Sequence, residues 1–421
     1  MIKTYAQLTL LVAVFVQVSI LFFASNTSPD LLAPWLAGHF YSTGVLDQVY
    51  PSDTEYFTML PPSEWWPYLN ANGYADTAYP FLYPPIWAVF FGWLNQQISF
   101  ETLIIFMNLL NPALMAMTLI LAWRIVGTKI PATFIVALGL GIISFSIPII
   151  LSLYQNQSQI IINFLILLGI ERASKRPMLA GSALALAASI KLYPLFIAFF
   201  LLARRQQATF GWFCFFGTTI AGLSVFLAGW PLHQTFMDQL NLIGQSFFVA
   251  NSNYSIDSLI GSVFYSDRLN FVSGLLNETS TIVDPGWHSM RKPAHWAIIS
   301  PLITLATIIT LMVFAARTTS PFFWPFAIAS LAFFSPLAWS YYYIPAFVFV
   351  PLLLARFELG ISSTLIAIFF ILESRFLFSI VRKSELYWLT PQTLGAFTAI
   401  AFILVFLAAM RVEKCNKLEP Q

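Results

Sequence analysis

In this chain of 421 residues, 58% are hydrophobic and 9% charged, whereas soluble globular proteins carry about a quarter charged residues, and a mean hydropathy of +0.77 points to a polytopic membrane protein. A net charge of +2 with no long Lys/Arg run excludes a phosphate-tracking nucleic-acid surface. Cys214 lies in an apolar segment and Cys415 in the C-terminal tail, so neither a disulfide nor a metal cluster is expected, and the chemistry should need no metal or cofactor.

Taken in order, residues 5–24 form an apolar run of about 20, longer than a signal peptide's core, so a retained first helix is expected with Lys3 on the cytoplasmic side. Residues 25–79 are a long polar connection carrying Asp30, Asp47, Asp53, Glu55, Glu64 and Asp76, with no Lys or Arg between Thr4 and Trp123. Basic residues collect in cytoplasmic connections, which places this stretch outside. Asp30 follows the apolar run after only Ser25-Asn26-Thr27-Ser28-Pro29, so it must lie close to the membrane surface. It could cap a helix lying along that surface. It could also be a general base, since an apolar setting raises a carboxyl pKa; the two roles are compatible. The segment from Asp30 to Gly44 is amphipathic, and His39 within it is either an interfacial residue or an accessory one.

Further apolar segments are expected at 79–95, 100–123, 131–150, 159–170, 178–202, 209–229, 296–315, 321–335, 343–355, 361–380 and 394–410, about twelve in all, several shorter than a full span. Two parity conflicts arise. Three segments separate Lys3 from Arg124, and the single segment 178–202 separates Arg172, Lys175 and Arg176 from Arg204 and Arg205, although all these residues read as cytoplasmic. A hairpin that bends at Lys191-Leu192-Tyr193-Pro194 and returns would resolve the second, and a partial crossing in 79–95 the first.

Lys191 stands between wholly apolar flanks, so its ammonium either snorkels to an interface or meets a phosphate in a cavity. The amide cluster Tyr154-Gln155-Asn156-Gln157-Ser158-Gln159, continued by Asn163, either joins helices or lines a wet cavity suited to sugar hydroxyls. Residues 231–295 form a second polar connection, also assigned outside, with Asn253, Asp257 and Arg268 as accessory candidates. No internal repeat separates these parts, so residues 1–421 read as one membrane domain with two large outer loops.

The ordered set of Asp30 after the first helix, Tyr50-Pro51, Tyr83-Pro84-Pro85, the Gln157 amide motif, Ala188-Ser189-Ile190-Lys191-Leu192-Tyr193-Pro194, Arg204-Arg205, Asn253-Tyr254-Ser255 and Ser335-Pro336-Leu337-Ala338-Trp339 resembles glycosyltransferase family 87. The resemblance implies an all-α GT-C-like bundle of about 11–13 transmembrane or re-entrant helices. It implies inverting transfer of a sugar, most often mannose, from a polyprenyl-phosphate donor to a lipid or glycan acceptor at the extracytoplasmic face of a membrane, here expected to be a bacterial plasma membrane. Asp30 would be the base; Lys191 and Gln157 would hold donor phosphate and sugar, with Tyr193, Asn156 and Tyr83 from the same motifs. Two departures stand out: Asn156 precedes Gln157 where the family usually has glycine, and Ser340 follows Trp339 where it usually has histidine, leaving His288 or His295 as substitutes. A transporter or lipid flippase is the alternative, and an enzyme requires Asp30 and Lys191 to open on one cavity.

Overall fold

The computed structural model describes the chain except residue 1 and residues 52–56, 75–77, 272–286, 385–389 and 413–421, so Asp53, Glu55, Asp76 and Cys415 lie outside the described residues. It is an all-α polytopic membrane protein. Among the described residues, five helices are long and apolar enough to cross a bilayer, and six shorter apolar helices of 10–17 residues accompany them.

Helix α1 (Ile2–Phe23) is one of the five, and α2 (Pro29–Ser42) follows it with proline at the first helical position, where no backbone donor is lost. After the short α3 (Trp66–Ala71), α4 (Ile86–Leu94) has nine residues, too few to span. It rests instead on α2 at glycine-to-glycine contact, for a Cβ added at Gly38 would lie 2.5 Å from the Gly92 nitrogen. Helix α5 (Phe100–Val126) starts at Ser99, which accepts from the Thr102 N–H, and ends at Gly127 in the left-handed region, φ 63. Asn108 Nδ2 donates to Phe23 O at 3.4 Å, which brings α5 beside the end of α1. Among the described residues between Lys3 and Arg124, only α1 and α5 are long and apolar enough to cross, a number that removes that parity conflict.

The expected segment 131–150 is two helices, α6 (Ala132–Ile143) and α7 (Ile147–Tyr154), parted where Ser146 bridges to Ser374. Helix α8 (Gln159–Arg172) leads to α9 (Pro177–Ile190) and α10 (Pro194–Ala203). The break between the last two falls at 191–193, where the hairpin was expected to bend. Thr209 Oγ1, at the start of α11 (Gln207–Ala228), donates to Ala173 O at 2.7 Å. This contact ties the residues just before α9 to those just after α10, so the pair enters and leaves at one level.

The second polar connection holds α12 (Trp230–Gln245), β1 (Ser246–Ala250), α13 (Ile256–Phe264), β2 (Asn270–Phe271) and β3 (Trp287–Arg291), the strands forming an antiparallel sheet in the order β1-β3-β2. It packs on the first connection, for Phe57 N donates to Ser246 Oγ at 3.1 Å and Gln239 Nε2 to Pro51 O at 3.0 Å.

Helices α14 (Ala294–Arg317) and α15 (Phe323–Phe333) precede a stretch in which α16 (Ile344–Phe347) is a single turn between 3₁₀ pieces Ser340–Tyr343 and Val350–Ala355. The expected helix at 343–355 is thus irregular, because Pro345 and Pro351 cannot donate to an α ladder. The expected segment 361–380 divides into α17 (Leu359–Leu372) and α18 (Arg375–Arg382), where Ser374 accepts from Leu377 N and caps the second. Helix α19 (Pro391–Arg411) closes the core, its Phe402 ring stacked 4.4 Å from that of Phe369.

Candidate active site

Asp30 is the second residue of α2 rather than its cap; the cap position is Ser28, whose side chain makes no capping bond. Ser28 lies in the left-handed region at φ 50, as does Asn156, also at φ 50. Such backbone costs about 1–3 kcal/mol per residue and persists only where its surroundings hold it. Here they hold each other: Asn156 Nδ2 donates to Ser28 Oγ at 2.9 Å and to Asn108 Oδ1 at 2.8 Å, and Asn111 Nδ2 donates to Asn156 Oδ1 at 2.9 Å. Ser28 Oγ in turn donates to Asn26 Oδ1 at 3.0 Å, and Asn26 Nδ2 to Tyr154 O at 2.6 Å. These buried bonds fasten the start of α2 from behind, which leaves the Asp30 carboxylate facing forward.

In front of it is a cavity of about 320 Å³ whose wall includes Asp30, Tyr83, Gln157, Lys191, Tyr193 and Trp339. Lys191 occupies the break between α9 and α10, where extended backbone (φ −139°, ψ 139°) takes its side chain out of the helical stack. Its Nζ sits 4.9 Å from the Tyr342 ring centre and 5.2 Å from that of Tyr341, within cation–π range. It also donates to Gln157 Oε1 at 3.5 Å. The ion pairs among the described residues include neither Asp30 nor Lys191, so both charges face the cavity. Burial pushes the Asp30 carboxyl up to about 7, against the opposing pull of the Lys191 ammonium and a hydrogen bond from Gln157. Such a group is a proton acceptor poised near neutrality.

Around these two the amides form an ordered ladder. Tyr83 OH and Ser158 Oγ bond each other at 3.0 Å, and Ser158 Oγ donates to Gln157 Oε1 at 3.1 Å. Gln159 Nε2 donates to Tyr193 OH and, at 2.7 Å, to Asn163 Oδ1. The Tyr193 ring stacks on Tyr342, centres 5.4 Å apart.

A second cavity, of about 240 Å³, lies on the other side of Asp30. Asp30, Met59, Tyr79, Trp339 and Tyr341 line both, so they form a shared wall. Its remaining lining includes Gln155, Asn251, Ser252, Trp287 and Arg382. The Ser335–Trp339 turn is held there by Asn253, whose Oδ1 accepts from Ala338 N at 3.1 Å, and by Ser340 N donating to Ser252 O at 2.7 Å.

The remaining expected residues fall elsewhere. Asn156 lines neither cavity; its side chain bonds Ser28, Asn108 and Asn111 behind Asp30. Asn253 is fully buried, its Nδ2 donating to Phe248 O at 2.6 Å, and serves the turn. Asp257 is consumed by a buried ion pair with Lys292, reinforced by Trp296 Nε1 at 2.7 Å and Ser300 Oγ at 3.0 Å. Arg268 is exposed on a 3₁₀ turn away from both cavities. His39 packs its ring 4.2 Å from that of Tyr68, and burial lowers its pKa. His288 sits in β3 opposite Val249, and His295 Nε2 lies 3.1 Å from Tyr265 OH; neither lines either of these two cavities.

Reading the sequence missed Met59, Trp287 and Arg382, together with the contribution of Tyr341 and Tyr342 to the Lys191 cage. The run Ser340-Tyr341-Tyr342-Tyr343 was visible as a departure from the expected motif, and three tyrosines beside a turn were the available signal. Nothing local marked Arg382.

A family model described as Glycosyltransferase family 87 matches residues 81–339, more than half of the chain. That span contains Gln157, Lys191, Tyr193 and Trp339, and begins after Asp30. Comparison with curated proteins finds no match.

Proposed function

The chain belongs to glycosyltransferase family 87, and from that premise we propose that it moves a sugar, mannose first among the choices, from a polyprenyl-phosphate donor to a lipid or glycan acceptor with inversion. The observation that supports this reading is the pairing of Asp30 and Lys191 on the wall of one cavity, an acceptor of protons and a fixed cation on the same space. The donor phosphate would lie at Lys191, where a compact ammonium matches an anionic oxygen. Gln157, Tyr83 and Tyr193 would contact donor sugar or phosphate, and Asn156 is reassigned as a positioning residue for Asp30.

The step is a single displacement. The acceptor hydroxyl oxygen forms the new bond to the anomeric carbon as the bond from that carbon to the phosphate oxygen breaks. The hydroxyl proton passes to Asp30, and the electron pair leaves with the polyprenyl phosphate, whose gain of charge Lys191 offsets. Phosphate leaves readily, so orientation carries much of the rate.

The second cavity would receive the acceptor. Both polar connections pack together, which supports one shared site on their side of the membrane; the proposal places that side outside a bacterial plasma membrane and takes residues 1–421 as one functional domain. The transporter reading gains no support from a glycosyltransferase family.

The test is to reconstitute the chain in liposomes with radiolabelled polyprenyl-phosphate mannose and an acceptor lipid extract. Labelled product from the unaltered chain and none from Asp30→Asn is expected. Full activity in Asp30→Asn would remove that residue from the mechanism, and no turnover with any polyprenyl-phosphate sugar would remove the donor class.

A further inference from the structure

Helices α14 and α19 both set out from the second polar connection. Helix α14 follows β3 after two residues, and Gln392 Nε2 at the start of α19 donates to Asn251 Oδ1 at 3.2 Å. With 24 and 21 residues they are about 36 and 32 Å long, so they end far from that connection, at Arg317 and Arg411. Each leans there on the start of α15, through the Phe314 and Phe326 rings at 5.9 Å and the Phe322 and Phe406 rings at 6.3 Å. Between their last turns a cavity of about 270 Å³ remains.

The two helices present the same pattern to this space. Val313 and Arg317 on α14, like Leu407 and Arg411 on α19, are four residues apart and so share a face, the apolar residue one turn deeper than the guanidinium. Basic residues in a last turn often serve their own helix by bonding its free carbonyls. Here other arginines do so: Arg356 donates to Ala409 O and, at 3.3 Å, to Met410 O, while Arg204 Nη2 donates to Thr318 O at 2.7 Å, where α14 ends. Arg317 and Arg411 are exposed, and neither joins an ion pair among the described residues.

Two guanidinium groups above an apolar slot match an anionic head on a hydrocarbon body. Guanidinium takes phosphate oxygens through paired hydrogen bonds, and basic pockets between spanning helices receive anionic headgroups. We propose that this cavity binds an anionic phospholipid of the bilayer, its phosphodiester between Arg317 and Arg411 and an acyl chain along Val313, Phe314 and Leu407. The site lies at the end of the molecule away from Asp30, so it does not depend on which donor or acceptor the protein uses. A lipid bound there ties α14 to α19 and stabilises the fold by mass action.

The full chain in neutral detergent is titrated with dioleoyl phosphatidylglycerol and with dioleoyl phosphatidylcholine, bound lipid being counted by native mass spectrometry and its effect read as a rise in melting temperature. Tighter binding of phosphatidylglycerol is expected, weakened about fivefold in Arg317→Gln or Arg411→Gln and about thirtyfold in the double variant, the contribution of one and of two basic side chains at an anionic membrane surface. Lys129→Gln removes another exposed cation that lies outside this cavity and should bind like the unaltered chain. Glycerol 3-phosphate, a head without chains, should not compete. Because lipid is counted directly, a glutamine variant that melts lower on its own still reports affinity. No preference for phosphatidylglycerol over phosphatidylcholine would overturn the inference, as would an equal loss in Lys129→Gln, which marks a general surface charge effect. Displacement by glycerol 3-phosphate would replace the lipid with a soluble phosphate and overturn it too.

Discussion

The two cavities that meet at Asp30 share a wall and differ in nearly everything else. The one with Lys191 is lined by Ile190, Leu192, Phe196, Ile328, Leu331 and Ala332, with one cation set among tyrosines. The other presents amides, two tryptophans and an exposed arginine, Arg382. Apolar walls around a fixed ammonium suit an amphiphile with an anionic head, whereas amides and indole faces suit a polyhydroxylated one. One carboxylate between them faces both.

Changing the shared wall should stop the transfer between the two sides. Asp30→Asn is expected to lower kcat by about 10²–10⁴-fold, the span of general base catalysis, with donor and acceptor binding retained in equilibrium measurements. The same residue separates activity from stability in pH. A carboxyl raised from 3.8 to about 7 in the fold is protonated there but ionised when unfolded across that window. Stability therefore falls as pH rises from about 4 to 7, while transfer rises with pH through about 7. Thermal melting and initial rates recorded over one pH series check both slopes, and Asp30→Asn should flatten the first.

Lys191→Met should act on one side only. A charge-assisted contact contributes about 1.5–3 kcal/mol, so donor KM should rise by about 10- to 100-fold with acceptor KM unchanged. A parallel rise in acceptor KM would mean that the two spaces are not separate. Asn156→Ala removes three buried side-chain bonds behind α2 and should cost about 1–3 kcal/mol of stability. Because it displaces the base rather than a substrate, kcat should fall with both KM values near their starting points; steady-state kinetics in both substrates would expose a direct ligand role. Smallest is Arg382→Gln, which should raise acceptor KM by a few-fold, since exposed charges are worth about 0–1 kcal/mol, and leave donor KM unmoved.

Much of this was legible in the chain. Isolated charges beside long apolar runs are costly unless they have a purpose, so Asp30 and Lys191 stood out, and proline after Tyr193 marked the break between α9 and α10 correctly. Short motifs do not carry direction, however. Asn156 and Gln157 are adjacent, yet one faces backward into Ser28 and the other forward into a cavity, because a left-handed residue between two helices turns the chain in a way no composition records. The ion pair of Asp257 was hidden for a related reason: its partner Lys292 is distant in sequence, and the packing of α13 against β1 and the start of α14 brings the two together. Arg382 belongs to a helix whose place depends on the remote bridge of Ser146 to Ser374, so local sequence could not bring it to the site.

The paired helices α9 and α10 also bear on how the protein is made. On the proposed orientation their flanking arginines remain on the side of synthesis, so the turn carrying Lys191 enters the bilayer as a closed loop and never has to emerge on the other side. Its reach is at most the length of α9, 14 residues or about 21 Å, against a hydrocarbon thickness of about 30 Å. On that orientation the ammonium comes to rest within the far leaflet, where the Tyr341 and Tyr342 rings and Gln157 offset part of its desolvation and an anionic headgroup would offset more.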